Sequence, residues 1–215
     1  MPIYNGIEFI EQSINSVKSQ TYKDWELLIG INGHPMNSNV YLKAKEFESE
    51  KIKVFDMYKI KGKSNTLNNM IKFAQHDWIA LLDVDDIWLP KKLESQISYL
   101  DDYDVIGTMC KYFGDLNTSP ILPIGNISNF NFFKFNPIIN SSSLIKKGIC
   151  FWDNNYDGVE DYELWMKLWT KKNKFYNVKT IQVLHRIHNN SAFNAKGNHL
   201  LVKKIINKYS KYYNH

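Results

Sequence analysis

The chain has 215 residues, 44% of them hydrophobic and 23% charged, which excludes a disordered or low-complexity chain and suits one globular domain with a substantial core. Its net charge of +5 is mild and dispersed, so nucleic acid is not an expected partner, whereas anionic sugar nucleotides or an anionic lipid surface are compatible with it. Cys110 and Cys150 fit no metal spacing or disulfide framework, and no run has the form of a signal peptide or membrane span, so a cytoplasmic setting is expected, peripheral to a membrane at most.

Pro2–Gly6 reads as a turn, and a helix follows to about Gln20 with Ile10, Ile14 and Val17 on one face. Trp25–Ile31 is an apolar run of strand length, ended by Asn32-Gly33-His34-Pro35. Residues 36–49 resume helical character, with Val40, Ala44 and Phe47 in register. Lys53–Met57 is a short strand, and 64–75 a helix with Leu67, Ile71 and Ala74 inward. Next comes Trp78–Pro90. Ile79, Ala80, Leu81 and Leu82 form a run expected of a strand covered on both faces. Three carboxylates, Asp83, Asp85 and Asp86, then fall within four residues, and Pro90 opens a helix to about residue 100. Val105–Cys110 is another strand.

From 111 to 137 Gly, Pro, Asn and aromatics dominate. Phe130, Phe132, Phe133 and Phe135 need burial, so this is a connection within the fold rather than a linker. Asn140–Lys146 reads as a strand lining a pocket. Glu160–Lys171 is a helix with Leu164, Trp165, Leu168 and Trp169 on its apolar face, and Val178–Ile187 a last strand. The tail places Leu201, Ile205, Tyr209 and Tyr212 on one face and lysines elsewhere, a pattern that fits a packed helix or a membrane-surface helix. Alternating strands and helices predict an α/β domain with a mostly parallel sheet. Ligands then sit at the carboxyl ends of strands, where Asn32 and Asp83–Asp86 both fall.

Carboxylates at i and i+2 leaving a strand can converge on one divalent cation, and hard oxygen ligands favour magnesium or manganese. The plain alternative is a solvated acidic turn. Five stretches in order add weight to the metal reading: PIYNG with SVKSQTYKDWELLI, NNMIKFAQHDWIALLDVDDIWLPKKLESQ, NSSSLIKKG, VEDYELWMKL and HRIHNNS, spanning residues 2–191. Together they resemble the family 2 glycosyltransferases, inverting enzymes of GT-A fold that transfer a sugar from a nucleotide diphosphate. The resemblance implies a single domain of residues 1–215: a nucleotide-binding half (1–110), an acceptor and catalytic half (111–199) and a C-terminal helix (200–215). It also implies a Mn2+ or Mg2+ cofactor, a nucleotide-sugar donor (a UDP-sugar foremost), and a glycan, lipid-linked or protein acceptor. Peripheral membrane contact and a homo-oligomer are compatible with it.

Residue by residue, Asp83 matches a ribose contact, Asp85 the metal ligand, and Asp86 the neighbour that supports it. Asp161, after Glu160, matches the general base. His188 resembles a residue reaching the diphosphate or metal from a closing C-terminal loop, expected to order over residues 185–198 when donor binds. Arg186, with His185, suits phosphates, although a structural ion pair fits it equally. Pro2 and Tyr4 fall in the donor-binding first stretch, and Lys63 is a looser candidate for contacts to base or phosphate. Two departures stand out. Asn32 occupies a position that is usually acidic and reads the nucleobase; it can still donate and accept at a base edge. The family's usual apolar first strand has only Met1 before Pro2, so that strand is expected to be short or missing. Two readings compete. A nucleotidyltransferase needs a Gly- and basic-rich phosphate loop, which PIYNG is not. A non-catalytic sugar-nucleotide or partner-binding module of the same fold would bind donor without turnover.

Overall fold

The computed structural model describes residues 1–188 and 196–212; residues 189–195 of the expected closing segment lie outside that range. The apolar run that ends at Asn32 is strand β2 (Leu27–Asn32), with β1 (Pro2–Ile3) on one side and β3 (Ile52–Met57) on the other, all parallel. Leu27, Ile29 and Ile31 point to one face and pack with Ile10, Ile14 and Val17 of helix α1 (Ile10–Lys18). The opposite face needs close approach: a Cβ on Gly30 would lie 2.5 Å from Met70 Sδ, so glycine lets helix α3 (Lys63–Met70) settle against the strand. Helix α2 (Asn39–Lys45) starts at Ser38, whose hydroxyl accepts from the Tyr41 amide.

The remaining strands build a second, mixed sheet: β4 (Trp78–Ala80), β5 (Ile87–Trp88), β6 (Val105–Gly114), β7 (Gly125–Asn126), β8 (Leu144–Lys146) and β9 (Phe175–Ile187). Their order is β4-β8-β6-β9-β5, with β7 also on β9, and only β6 and β9 run parallel. The expectation of a mostly parallel sheet is thus met by the first sheet and corrected in the second. The aperiodic stretch after β6 returns the chain against its own direction into β8, and apolar periodicity carries no sign of strand direction. The expected strand over 140–146 is a single turn of 3-10 helix followed by β8. The first strand is short rather than missing: the Met1 α-amine donates to Leu28 O at 2.9 Å, continuing the line of β1.

Helix α4 (Lys92–Ile97) backs the acidic turn, and α5 (Glu160–Thr170) organises a second core. Leu164, Trp165 and Leu168 are buried there with Phe132 and Phe175, and the Phe132 ring stacks 5.3 Å from Trp169. The two tryptophans of the helix are therefore core residues. Phe135, expected inside, is 42% exposed, its ring tilted against Phe130 with centroids 5.2 Å apart. Helix α6 (Asn198–Ser210) packs Ile205 and Tyr209 into the same core, so the packed reading of the tail holds; Leu200 and Tyr212 stay exposed. Among the described residues no helix is long and apolar enough to cross a membrane.

A buried polar clasp joins α6 to α5. Glu163 is fully buried, and its Oε1 accepts from Tyr209 Oη (2.5 Å) and Lys208 Nζ (2.8 Å). A hydrogen bond to a charged group contributes more than a neutral one, and removing one partner strands the other. Tyr209→Phe is therefore expected to cost about 1–2 kcal/mol and Glu163→Ala about 2–4 kcal/mol. Urea unfolding of both variants checks the order.

Candidate active site

Several chain segments meet at the carboxyl ends of β1, β2 and β4. β1 delivers Pro2 and Tyr4; Pro2 is held in register with Gly30, while the Tyr4 ring is exposed and lies 5.2 Å from His34. His34 Nε2 is 2.6 Å from Tyr4 O, which fixes the two loops to each other. Asn32 ends β2 and is buried. After β4 the chain turns tightly, with the Asp86 amide donating to Asp83 O at 3.1 Å, and this turn presents all three carboxylates.

Each carboxylate has a different partner. Asp83 Oδ1 lies 2.7 Å from Lys63 Nζ, its Oδ2 accepts from Asn140 Nδ2 (2.9 Å), and its amide donates to Ser141 Oγ (3.0 Å). Burial works to raise its pKa, but the Lys63 charge and these hydrogen bonds outweigh it, and the group sits below the usual carboxylate range. Asp86 is fully buried; its oxygens lie 2.9 Å from His185 Nδ1 and accept from the Arg186 amide at 2.8 Å. Against the cost of burial, that carboxylate raises the His185 pKa to about 8. Asp85 Oδ2 lies 3.1 Å from His188 Nε2, and burial together with repulsion from Asp86 and Asp83 pushes the Asp85 pKa up. Arg186 donates from Nε to Asp85 O and from Nη2 to Gln12 Oε1, and its guanidinium is sandwiched between Phe9 and Phe113, 4.3 Å from each ring.

The start of α5 closes the site. Lys63 Nζ reaches Glu160 Oε1 at 2.9 Å as well as Asp83, so one ammonium bridges the acidic turn to this helix. Beside it, Asp161 accepts from Asn136 Nδ2 (2.9 Å) and from the Tyr162 amide (2.7 Å). Burial and then the adjacent Glu160 push the Asp161 pKa to about 6, despite the opposing pull of Lys63.

Could this turn hold a divalent ion? Among the described residues no three His, Cys, Asp or Glu side chains form a protein-only cage. A magnesium-type ion in a phosphate-handling site, however, takes one or two carboxylates and draws its other ligands from substrate oxygens and water. Burial and repulsion from Asp86 and Asp83 disfavour the ionised form of Asp85, which stands beside His188, and a cation bound there would favour it. The residues fit.

The structure thus brings together the acidic turn, Lys63, Glu160, Arg186 and His188, with Asn32, Pro2 and Tyr4 on the neighbouring strand ends. Sequence reasoning missed Asn136 and Asn140, the two amides that fix Asp161 and Asp83. Asn136 lies in the stretch where no periodicity operates, Asn140 opens the segment expected as a pocket-lining strand, and a lone Asn carries no signal of its own. It also missed Gln12 and Phe9, which hold Arg186 from the far end of the chain.

Residues 1–209 match the family described as Glycosyl transferase family 2. The chain belongs to that family. Family 2 membership accords with the α/β, GT-A-like arrangement, its sheet mixed rather than uniformly parallel. One relative, the UDP-Glc:alpha-D-GlcNAc-diphosphoundecaprenol beta-1,3-glucosyltransferase WfgD of Escherichia coli, is 41% identical over 100 residues, covering 46% of this chain and 39% of the relative. An uncharacterized glycosyltransferase of Methanocaldococcus jannaschii is 26% identical over 209 residues, or 90% of this chain and 71% of that one. Among solved structures, S. aureus TarS 1–349 in complex with UDP-GlcNAc superposes with a TM-score of 0.76 at 14% identity, covering 96% of this chain and 64% of TarS. The mannosyltransferase PcManGT of Pyrobaculum calidifontis, in complex with GDP-Man and Mn2+, gives 0.62 at 15% identity, covering 93% and 57%. This family 2 chain therefore spans about two-fifths of the length of its Escherichia coli relative.

The raised pKa of Asp161 has a stability consequence. A carboxyl whose folded pKa exceeds its unfolded value of 3.8 binds its proton more tightly when folded, and that contribution is lost as pH rises through about 6. Asp161→Asn removes the ionisation, so the variant is expected to be about 1–3 kcal/mol more stable than the parent at pH 7.5 and nearly equal to it at pH 4. Thermal unfolding across that pH range measures the crossover.

Proposed function

We propose that the chain is an inverting glycosyltransferase that moves a sugar from a nucleotide-diphosphate donor, a UDP-sugar foremost, to a carbohydrate hydroxyl. One observation carries the reading. Lys63 binds both Asp83, on the donor side, and Glu160, whose neighbour Asp161 is an acid poised to titrate near pH 6. Family membership supports the activity class, and the UDP-GlcNAc and UDP-Glc in the names of TarS and the Escherichia coli relative support the donor. The diphosphoundecaprenol acceptor in that relative's name makes a lipid-linked glycan the favoured acceptor class here. The whole chain acts as one unit, with residues 1–110 receiving the nucleotide and 111–199 the acceptor.

In this reading Tyr4 and Asn32 flank the nucleobase and Asp83 receives the ribose. Asp85 and His188 would hold a Mn2+ or Mg2+ ion, which when bound supplies Lewis-acid stabilisation of the departing diphosphate. Asp86 fixes the turn through His185 and the Arg186 backbone. The bond from the anomeric carbon to the diphosphate oxygen breaks while a bond to the acceptor oxygen forms. Asp161 takes the acceptor proton on the face opposite the leaving group, so the configuration inverts. A carboxylate with a pKa of about 6 is a stronger base than an ordinary one and is still mostly ionised at neutral pH. Asn136 aims it, leaving its ionisation to set the rate.

Three outcomes are expected. Asp161→Asn should lower transfer by roughly 10²–10⁴-fold while leaving UDP affinity unchanged in calorimetry. Near-normal transfer by that variant would remove Asp161 as the base. In the parent, turnover should rise with pH through about 6 and then level, as the Asp161 proton is lost. UDP should bind more tightly with manganese than with chelator, and Asp85→Ala should erase that difference without unfolding the protein; identical titrations in the parent would reject the metal role.

A further inference from the structure

The seam between α3 and the start of α5 is built from polar groups that the proposed chemistry does not use. α3 begins at Lys63, directly after Gly62, and no side chain at Gly62 caps it. The first amides of a helix have no partner within it, and Ser64 is fully buried, so water does not serve its amide. Asp157 answers from across the seam: its Oδ1 accepts from the Ser64 amide at 2.9 Å. The fit is close. Gly62 has a φ of 87°, and a Cβ there would collide with Asp157 Oδ2, so glycine at 62 lets the carboxylate reach the helix end.

Lys63 and Ser64, neighbours in α3, thus bind two acids of one short segment, and the contacts close a ring. Lys63 Nζ meets Glu160 Oε1 at 2.9 Å, the Ser64 amide meets Asp157, and Glu160 Oε2 accepts from the Gly158 amide at 2.7 Å. One turn further along α3, Asn68 donates from Nδ2 to Trp152 O (2.7 Å) and accepts at Oδ1 from the Trp152 amide (2.9 Å), which holds the rest of the same face. These contacts do different things. The lysine side chain is long and flexible, and an ammonium between two carboxylates can follow either of them. The bond to Asp157 is made by backbone at the lysine's own end of the helix, so it decides where Lys63 starts from.

We propose that Asp157 is a positioning residue of the site: by holding the Ser64 amide it fixes the start of α3 and keeps the Lys63 ammonium between Asp83 and Glu160. With Asp161 read as the base, on which this role in the reaction rests, Asp157 acts on the chemistry only through Lys63. Two charged neighbours bear on Asp161 from either direction. Glu160 opposes its ionisation and Lys63 favours it. Withdrawal of the ammonium leaves Glu160 and Asp161 as adjacent buried acids without that cation, and such a pair holds its last proton to higher pH. A loosened helix start is therefore expected to leave fewer molecules with Asp161 ionised at neutral pH.

The test compares Asp157→Ala, Asp157→Asn, Lys63→Met and the double variant Asp157→Ala/Lys63→Met in the full chain. The Asp161 carboxyl is followed by NMR titration, and transfer is measured from UDP-Glc or UDP-GlcNAc to an alkyl α-GlcNAc diphosphate. Asp157→Ala should move the Asp161 midpoint above the parent's value of about 6 and lower kcat by on the order of 10–100-fold. Asp157→Asn keeps an oxygen for the Ser64 amide and should stay close to the parent in both. The double variant should titrate as Lys63→Met does, because Asp157 acts through that lysine. If Asp157→Ala does not fold, Asp157→Glu, whose longer arm displaces the carboxylate from Ser64, is read in its place with the same expectation. A lowered Tm with an unmoved Asp161 midpoint would make Asp157 a helix cap and overturn the proposal, as would a further shift on adding Asp157→Ala to Lys63→Met. A moved midpoint with unchanged transfer would uphold the link to Lys63 and reject Asp161 as the base, so the two readings fail separately.

Discussion

One ammonium group sets the geometry of the site. Lys63 Nζ lies within 3 Å of carboxylates on two separate elements, the acidic turn after β4 and the first residue of α5. Burial of that amine would be costly alone, and the two carboxylates more than offset it, holding the Lys63 pKa well above its usual value. The pairing works in both directions, because the Lys63 charge in turn holds the Asp83 pKa down against its burial. Helix α3 supplies the lysine, and Gly30 leaves room for the Met70 side chain of that helix against β2.

The acidic turn shows the same logic on a shorter scale. Three carboxylates this close cannot all ionise without compensation. Asp83 pairs with Lys63 and Asp86 with His185, while burial and the charges of Asp86 and Asp83 push the Asp85 pKa up. The raised acid at Asp161 arises in the same way, from burial and then from Glu160 beside it.

Much of this was legible in the sequence, for identifiable reasons. The helices with a clear apolar stripe, α1 and α5, and the continuous apolar strands β2 and β4 announce themselves through periodicity. The acidic turn and Asp161 stand out because charged residues at the end of an apolar run are conspicuous. Asn136, Asn140 and Gln12 do not, because a single amide acquires meaning only from the partner that folding brings to it. Strand direction was similarly hidden: β8 is an ordinary apolar triplet, Leu144–Lys146, and nothing in its composition says that it runs against both β4 and β6. The two-residue strand β5 was invisible for want of length, although its pairing of Ile87 and Trp88 with β9 ties the turn to His185 and Arg186.

Strand β9 changes register partway along. Opposite Thr108 and Met109 of β6 it passes from Val178 to Ile181, so Lys179 and Thr180 stand outside the ladder. Before that irregularity the strand pairs with β7 and builds core; after it, the strand pairs with β5 and delivers His185, Arg186 and His188. The two halves are thereby uncoupled in length. Gain or loss of a residue at 179–180 can be absorbed by the slack already present there. The same event between Val183 and His188 would turn every following side chain to the opposite face and carry His185 away from Asp86. Over evolutionary time, insertions and deletions should therefore collect at the first place and be purged from the second, only a few residues along the same strand.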